Sequence, residues 1–382
     1  MSTLHRQAGT CEIITTMARL KEVADILANQ TEIAVDLEMD SLHHYREKVC
    51  LVQVSTRRQS WLIDPLALPT LEPLSSPLAD PKILIVMHGA DYDIRSLHRD
   101  FDIEVTNLFD TMIAARFLNI AEFGLAALLN GRFGIELDKK YQKADWSKRP
   151  ISREMCAYAT ADTSDLLPLY DQLREELINK DRLPWLVEEG NLVCQARVTE
   201  KDGPLFLYCK GANKLRGHSL AILEELLQMR DSQSELLDRP PFKVLSADTL
   251  IEVAETQPRS LHDLSLVRGM TPGQLQRHGT GILSAIERGI ATPENNLPRF
   301  PRNGKKEVLE RVKERLKNLK SWREKYSHNI GLEPGLLAPN WLLEAIADTE
   351  TAEKVELDAI PGMRDWQKRL FSEDMARVLA MV

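Results

Sequence analysis

The chain has 382 residues, of which 43% are apolar and 28% charged, with a formal net charge of −8. That length suffices for two or three hydrophobic cores, and the composition is that of an ordinary folded protein. No apolar run approaches the roughly 20 residues of a membrane span, so no membrane partner is expected. A negative total does not advertise a nucleic-acid binder, although a local basic face survives such averaging.

The opening stretch MSTLHRQAGTCEIITT has no apolar h-region, and a cytoplasmic location is expected. Cys11, Cys50, Cys156, Cys194 and Cys209 are scattered without zinc or CxxC spacing, as suits free thiols in a reducing compartment. Through about residue 175, strand and helix patterns alternate. EIAVDLEMD, KVCLVQVST, QSWLIDP and KILIVMHG read as strands. TTMARLKEVADILANQ, ADYDIRSLHRDF, DTMIAARFLN, FGLAALLNGRFG and the long SREMCAYATADTSDLLPLYDQLREELINK read as helical. The connection STRRQ is too short for a helical crossover, so the sheet contains a hairpin and is mixed. Beyond residue 205 the strand signal fades into two helical blocks, separated by the linker-like ATPENNLPRFPRNG. Each ends in a leucine, a Gly-containing turn and an amphipathic helix, as distant duplicates would.

Asp36 and Glu38 stand two apart on a strand, so their carboxylates point the same way. Asp93 follows the strand KILIVM, just inside the next helix, at the edge where α/β sites form. Asp162 lies four residues after Tyr158 on a helix whose core face also carries Leu166 and Leu169. Four carboxylates in one pocket repel one another unless cations balance them. Two divalent ions would do so, and oxygen-only ligands favour Mg2+ or Mn2+. Such a pair about 4 Å apart suits phosphodiester hydrolysis, with water activated on one side and the leaving oxygen stabilised on the other. Tyr158 shares the face of Asp162 and, with an ordinary pKa near 10, suits orienting that water better than deprotonating it.

These residues carry a resemblance. DLE at 36–38, HGADYD at 88–93 and YATAD at 158–162 resemble the three motifs of the tyrosine-containing DEDD exonucleases. LVQVS, WLIDPL, FDTMIAARFL and DKKYQKADWSKRPIS resemble the ribonuclease D family, and the two helical blocks resemble its HRDC modules. The resemblance implies an α/β ribonuclease-H-like exonuclease domain over 1–180 and two small all-α HRDC-like domains over 205–292 and 303–382. It implies a 3′→5′ exoribonuclease releasing nucleoside monophosphates from RNA with an accessible 3′ end, transfer-RNA precursors in particular. Asp36 would bridge two ions, Glu38 and Asp162 would complete the first site, Asp93 would serve the second, and Tyr158 would orient the water. A DNA exonuclease and a noncatalytic RNA-binding protein remain as alternatives. A monomer is expected.

Other residues have less definite readings. Lys139, Lys140, Lys143, Lys148 and Arg149 form a cluster that would attract phosphates. Trp146 either packs in the core or stacks on a base, His88 either closes the strand end or touches substrate, and Gln53 faces either the cleft or solvent. Asp110 reads as a helix cap rather than a metal ligand. Residues 299–325 hold eleven Lys or Arg against four Glu, a stripe that could follow a phosphate backbone. No Walker A, Rossmann fingerprint or zinc cluster is present, so helicase activity is not expected.

Overall fold

In the computed structural model of the chain, the residues described are 12–199, 202–301, 310–349 and 359–379. They group into two compact units. The first takes in the chain up to Met39, Val49–Val198 and the stretch from Lys306, and the second Asp40–Lys48 and Thr199–Lys305.

The first unit is built on six strands: β1 Glu12–Ile14, β2 Glu32–Met39, β3 Val49–Ser55, β4 Ser60–Ile63, β5 Leu84–Met87 and β6 Leu108–Asp110. They lie in the order β1-β4-β3-β2-β5-β6. β2, β3 and β4 are antiparallel neighbours and the other pairings are parallel, which makes the sheet mixed. β1 and β6, of three residues each, add to the four strands legible from pattern. β3 is buried at all seven positions, as a central, two-sided strand must be.

Alternation along β2 decides which face receives which chemistry. Ile33, Val35 and Leu37 join a core with Leu20, Val23 and Leu27 of helix Met17–Leu27 and Ile94 and Leu97 of helix Asp91–Phe101. Asp36 lies opposite Gln53 and Glu38 opposite Leu51 on β3, and directly opposed residues of an antiparallel pair share a face. This second face is covered by helix Arg153–Ser164, where Leu51 and Leu62 pack with Cys156, Ala159 and Trp146.

Helix Arg153–Ser164 starts with Ser152, whose hydroxyl accepts the Met155 N–H at 3.2 Å. It ends at Asp165, and a separate helix runs Leu166–Asn179. The sequence pattern reads as one helix there, with Leu166 and Leu169 on the face of Asp162. The division follows from Pro168, which has no N–H to return to the Ser164 carbonyl, and from a Thr-Ser-Asp run that favours caps over helix interiors.

The first unit also includes helices Glu310–Ile330, Asn340–Ala347 and Asp365–Leu379. Helix Leu183–Cys194 fastens them to the sheet domain. The Glu188 carboxylate accepts the N–H groups of Asp365 (2.6 Å) and Trp366 (3.0 Å) at the start of the last helix. Glu189 accepts the Trp366 indole N–H at 3.1 Å and pairs with Arg364 at 3.0 Å. Trp366 stacks on Trp185, centroids 4.9 Å apart, and meets Phe117 edge-on. The Arg182 guanidinium donates to the carbonyls of Phe117, Ile330 and Gly331, occupying the C-terminal end of helix Glu310–Ile330.

The second unit packs helices Gly217–Leu236, Ala247–Thr256 and Pro272–Ile290 around Leu220, Leu223, Leu250, Val253, Ile282 and Ile286. The connector 40–48, which joins β2 to β3, belongs to this unit. His44 Nδ1 lies 2.7 Å from Asp238, the Tyr45 N–H donates to Asp238 and its hydroxyl to Asp231, and Arg46 pairs with Glu235.

Candidate active site

One strand, two helices and a bulge position the acidic residues. Between Glu38 and Met39 the β2–β3 register slips by one residue, leaving Cys50 extra on β3. The Cys50 carbonyl accepts from Arg149 Nη2 at 2.7 Å, and Arg149 also makes a two-point pair with buried Asp64. Arg149, grouped from the sequence with a phosphate-attracting cluster, is therefore engaged in holding this irregularity. Lys148 reaches Asp145 at 3.6 Å, and the Lys140 ammonium lies over the Tyr141 ring.

Asp93 is in the first turn of helix Asp91–Phe101, and Asp110 sets that turn. The Asp110 carboxylate accepts the N–H groups of Gly89 (3.0 Å) and Ala90 (2.8 Å). It also accepts those of Met112 and Ile113, capping helix Thr111–Phe117. One buried carboxylate thus ties two helix starts together. Gly89 supplies the φ of +74° that the turn before the helix requires. His88 Nδ1 lies 2.9 Å from the Thr111 hydroxyl, whose proton goes to the Met87 carbonyl. His88 Nδ1 is accordingly the donor, and burial keeps the ring's pKa low.

Asp36, Glu38 and Asp162 come together, each offering a carboxylate oxygen, with these atoms all within 4.8 Å of one another. Asp93 is outside that group of three, but its charge acts on both Asp36 and Glu38. It is itself buried, 8% exposed. Burial first, and then the neighbouring carboxylates, raises Asp36 well above the ordinary carboxylate range and Glu38 to about 9. Burial likewise lifts Asp93 to about 8, with Asp110 adding to it, and Asp162 to about 7. Among the described residues no cationic side chain pairs with any of the four. An all-oxygen set so gathered and uncompensated fits divalent cations of the Mg2+ or Mn2+ type.

Tyr158 stands one turn before Asp162. Its ring is held by Tyr141 (centroids 5.8 Å apart) and Trp146 (6.0 Å), and burial followed by the acidic neighbours raises its phenol pKa. Trp146 is 1% exposed and is a core residue. A cavity of about 340 Å³ adjoins the site, lined by Tyr158, Asp162, Tyr141, Lys140 and Glu154 among others. In the basic stretch 299–325, residues 302–309 lie outside the described residues. Farther along, Arg315 and Arg323 donate to the carbonyls of Thr349 and Ala338, whereas Arg311, Lys317, Lys320 and Lys325 are exposed.

A mixed sheet whose Asp36 and Glu38 meet Asp162 of a covering helix, with a tyrosine one turn before Asp162, fits a metal-dependent nuclease of the 3′–5′ exonuclease class. A family model described as 3'-5' exonuclease matches residues 11–178, and an HRDC domain model matches 219–286 and 312–379. The chain is 29% identical to ribonuclease D of Pseudomonas paraeruginosa, over 83% of this chain and 84% of that one. It is 34% identical to mouse exosome complex component 10 over 67% of this chain. The chain spans about a third of the length of such exosome relatives, 30% of the mouse protein and 38% of yeast RRP6. Among solved structures, Escherichia coli RNase D superposes with a TM-score of 0.74 at 25% identity, covering 97% of this chain and 99% of that one. The catalytic core of Trypanosoma brucei RRP6 gives 0.65 at 31% identity, covering 74% and 80%. The chain belongs to the RNase D/RRP6 family of DEDD-type exonucleases and carries HRDC domains.

Proposed function

We propose that the chain is a 3′→5′ exoribonuclease that removes nucleoside 5′-monophosphates from the free 3′ ends of RNA, with transfer-RNA precursor tails as its substrates. The observation that carries this reading is the gathering of carboxylate oxygens of Asp36, Glu38 and Asp162 to within 4.8 Å of one another. The solved E. coli relative, described as an exoribonuclease involved in structured RNA processing, supports RNA as substrate. A single chain holds every residue of the proposed centre, which supports a monomer. The modules are read as 1–180, 205–292 and 303–382, and the matched spans fall within these bounds.

Asp36 would bridge two divalent ions, Glu38 and Asp162 would complete the first position, and Asp93 would serve the second. Ions bound there supply charge for activating water and stabilising the leaving 3′ oxygen. The chain's own residues do the rest. Asp36 and Glu38 are fixed by the β2 ladder, so their carboxylates need little reorganisation. The Tyr158 phenol stays protonated because its surroundings oppose a further negative charge, and it orients water by hydrogen bonding rather than by removing a proton.

End-labelled single-stranded RNA with a free or blocked 3′ hydroxyl tests this directly. Stepwise shortening of the free strand alone is expected, and internal cuts in the blocked strand would reject it. Asp36→Asn and Asp162→Asn should each lower the rate about 10³-fold or more, since several kcal/mol of charge stabilisation are removed. Full activity in either variant overturns those roles. Matched DNA oligonucleotides check the sugar, and faster digestion of DNA would replace RNA as the substrate.

A further inference from the structure

Gln53 is fully buried, yet among the described residues neither its carboxamide oxygen nor its nitrogen has a hydrogen-bond partner. Its position makes this informative. On β3 it lies directly opposite Asp36, so the two side chains leave the sheet on the same face. Its neighbours two residues either way fix what that face meets. Leu51 packs with Cys156 and Ala159 of helix Arg153–Ser164, and the Ser55 hydroxyl lies 2.7 Å from that of Thr163 on the same helix. Gln53 therefore sits between these two contacts along β3, on the face that helix Arg153–Ser164 covers, with Asp36 opposite it.

A buried amide group left without a partner is destabilising, and a Leu or Met of similar size would remove that cost. β3 is otherwise rich in apolar residues at its buried positions, so packing alone gives no reason for a carboxamide here.

We propose that Gln53 is a positioning residue of the carboxylate centre. Its Nε2 donates to the Asp36 carboxylate, fixing which oxygen lone pairs Asp36 turns toward a divalent cation, and its Oε1 accepts from a water held with that cation. With a cation and its water in place, both polar atoms of the buried amide have partners. Outer hydrogen bonds of this kind orient ligating carboxylates, and losing one typically costs about 10–100-fold in metal affinity or activity.

The inference rests on the reading of Asp36, Glu38 and Asp162 as a cation site, and the experiment separates the two. Mn2+ binding to the full chain, without RNA, is measured from the free-Mn2+ electron paramagnetic resonance signal for wild type, Gln53→Met and Gln53→Leu. The thermal midpoint of each is measured in EDTA. The expected result is about 10–100-fold weaker Mn2+ binding in both variants, with midpoints in EDTA equal to or above that of wild type. A merely structural glutamine would give the reverse pattern: lower midpoints and unchanged binding. If wild type binds Mn2+ and both variants bind it equally, the role of Gln53 is wrong while the cation site stands. If wild type binds none, the site and the inference built on it fall together.

Discussion

Tyr158 carries a hydroxyl whose ionisation burial and then the surrounding carboxylates oppose, and the role proposed for it is geometric. Tyr158→Phe keeps the ring packed against Tyr141 and Trp146 and removes only the hydrogen bond. A misplaced nucleophile costs about 10²-fold, and the variant should lose roughly that in single-turnover rate while binding Mg2+ as wild type does. Loss of Mg2+ binding would move Tyr158 among the metal-holding groups. The acids themselves predict how metal and pH interact. Glu38, Asp93 and Asp162 are raised to about 9, 8 and 7, against roughly 4 in an unfolded chain. The metal-free fold therefore holds more protons than the unfolded chain across that interval. Its stability from these groups is complete below about pH 4 and is lost as pH rises through those folded values. Divalent ions bind the deprotonated set, so the gain in thermal midpoint from Mg2+ over EDTA should widen between about pH 6 and pH 8.5. A gain constant across that interval would show that ions bind elsewhere. Of these residues, Asp36 and Glu38 were legible because a strand's period of two puts both on one face. The second task of Asp110 was not, because the N–H groups it accepts from Gly89 and Ala90 are some twenty positions away in the chain. Arg149 was misleading for the same reason: its partners Cys50 and Asp64 are distant in sequence, and charge alone suggested phosphate.

Elements were legible in proportion to their length. β2 to β5 announce themselves by β-branched runs, whereas the three residues of β1 and of β6 are too few for any period to register. The boundary between helices Arg153–Ser164 and Leu166–Asn179 was hidden by apolar spacing that continues across it, although Pro168 marks it chemically. Helix Leu183–Cys194 approaches β6 closely at Gly190, where a Cβ would come within 2.7 Å of the Leu108 carbonyl oxygen. Two effects oppose each other in Gly190→Ala. Helix propensity favours alanine by about 1 kcal/mol, and overpacking against a backbone atom costs about 1–3 kcal/mol. Because the obstacle is backbone, overpacking should win, and denaturant titration should show a net loss of stability. A gain would mean that the helix shifts away at little cost.

At the scale of the whole chain, the last helical block is held to the sheet domain by a compact set of bonds. Trp366 is its centre, 2% exposed, stacked on Trp185 and bonded through its indole to Glu189. Trp366→Ala should cost about 3–5 kcal/mol and let limited proteolysis release the C-terminal block before the sheet domain is cut. Unchanged proteolysis would locate the attachment elsewhere, with the Arg182 clamp as the remaining anchor. None of this was readable beforehand: two repeats of one helical pattern look equivalent in sequence. The attachment of the last block depends on single side chains, such as Glu188 finding the N–H groups of Asp365 and Trp366.

The connector Asp40–Lys48 has a practical consequence. It leaves β2 right after the residues that carry the acidic pair, and His44, Tyr45 and Arg46 are moored to Asp231 and Glu235 of helix Gly217–Leu236 and to Asp238 just past its end. Deleting the first repeat therefore does more than remove a helical module: it casts loose a tether that begins at the end of the strand bearing Asp36 and Glu38. Slower turnover in such a truncation would confuse two losses, and point changes at Asp231 and Asp238 in the intact chain would tell them apart.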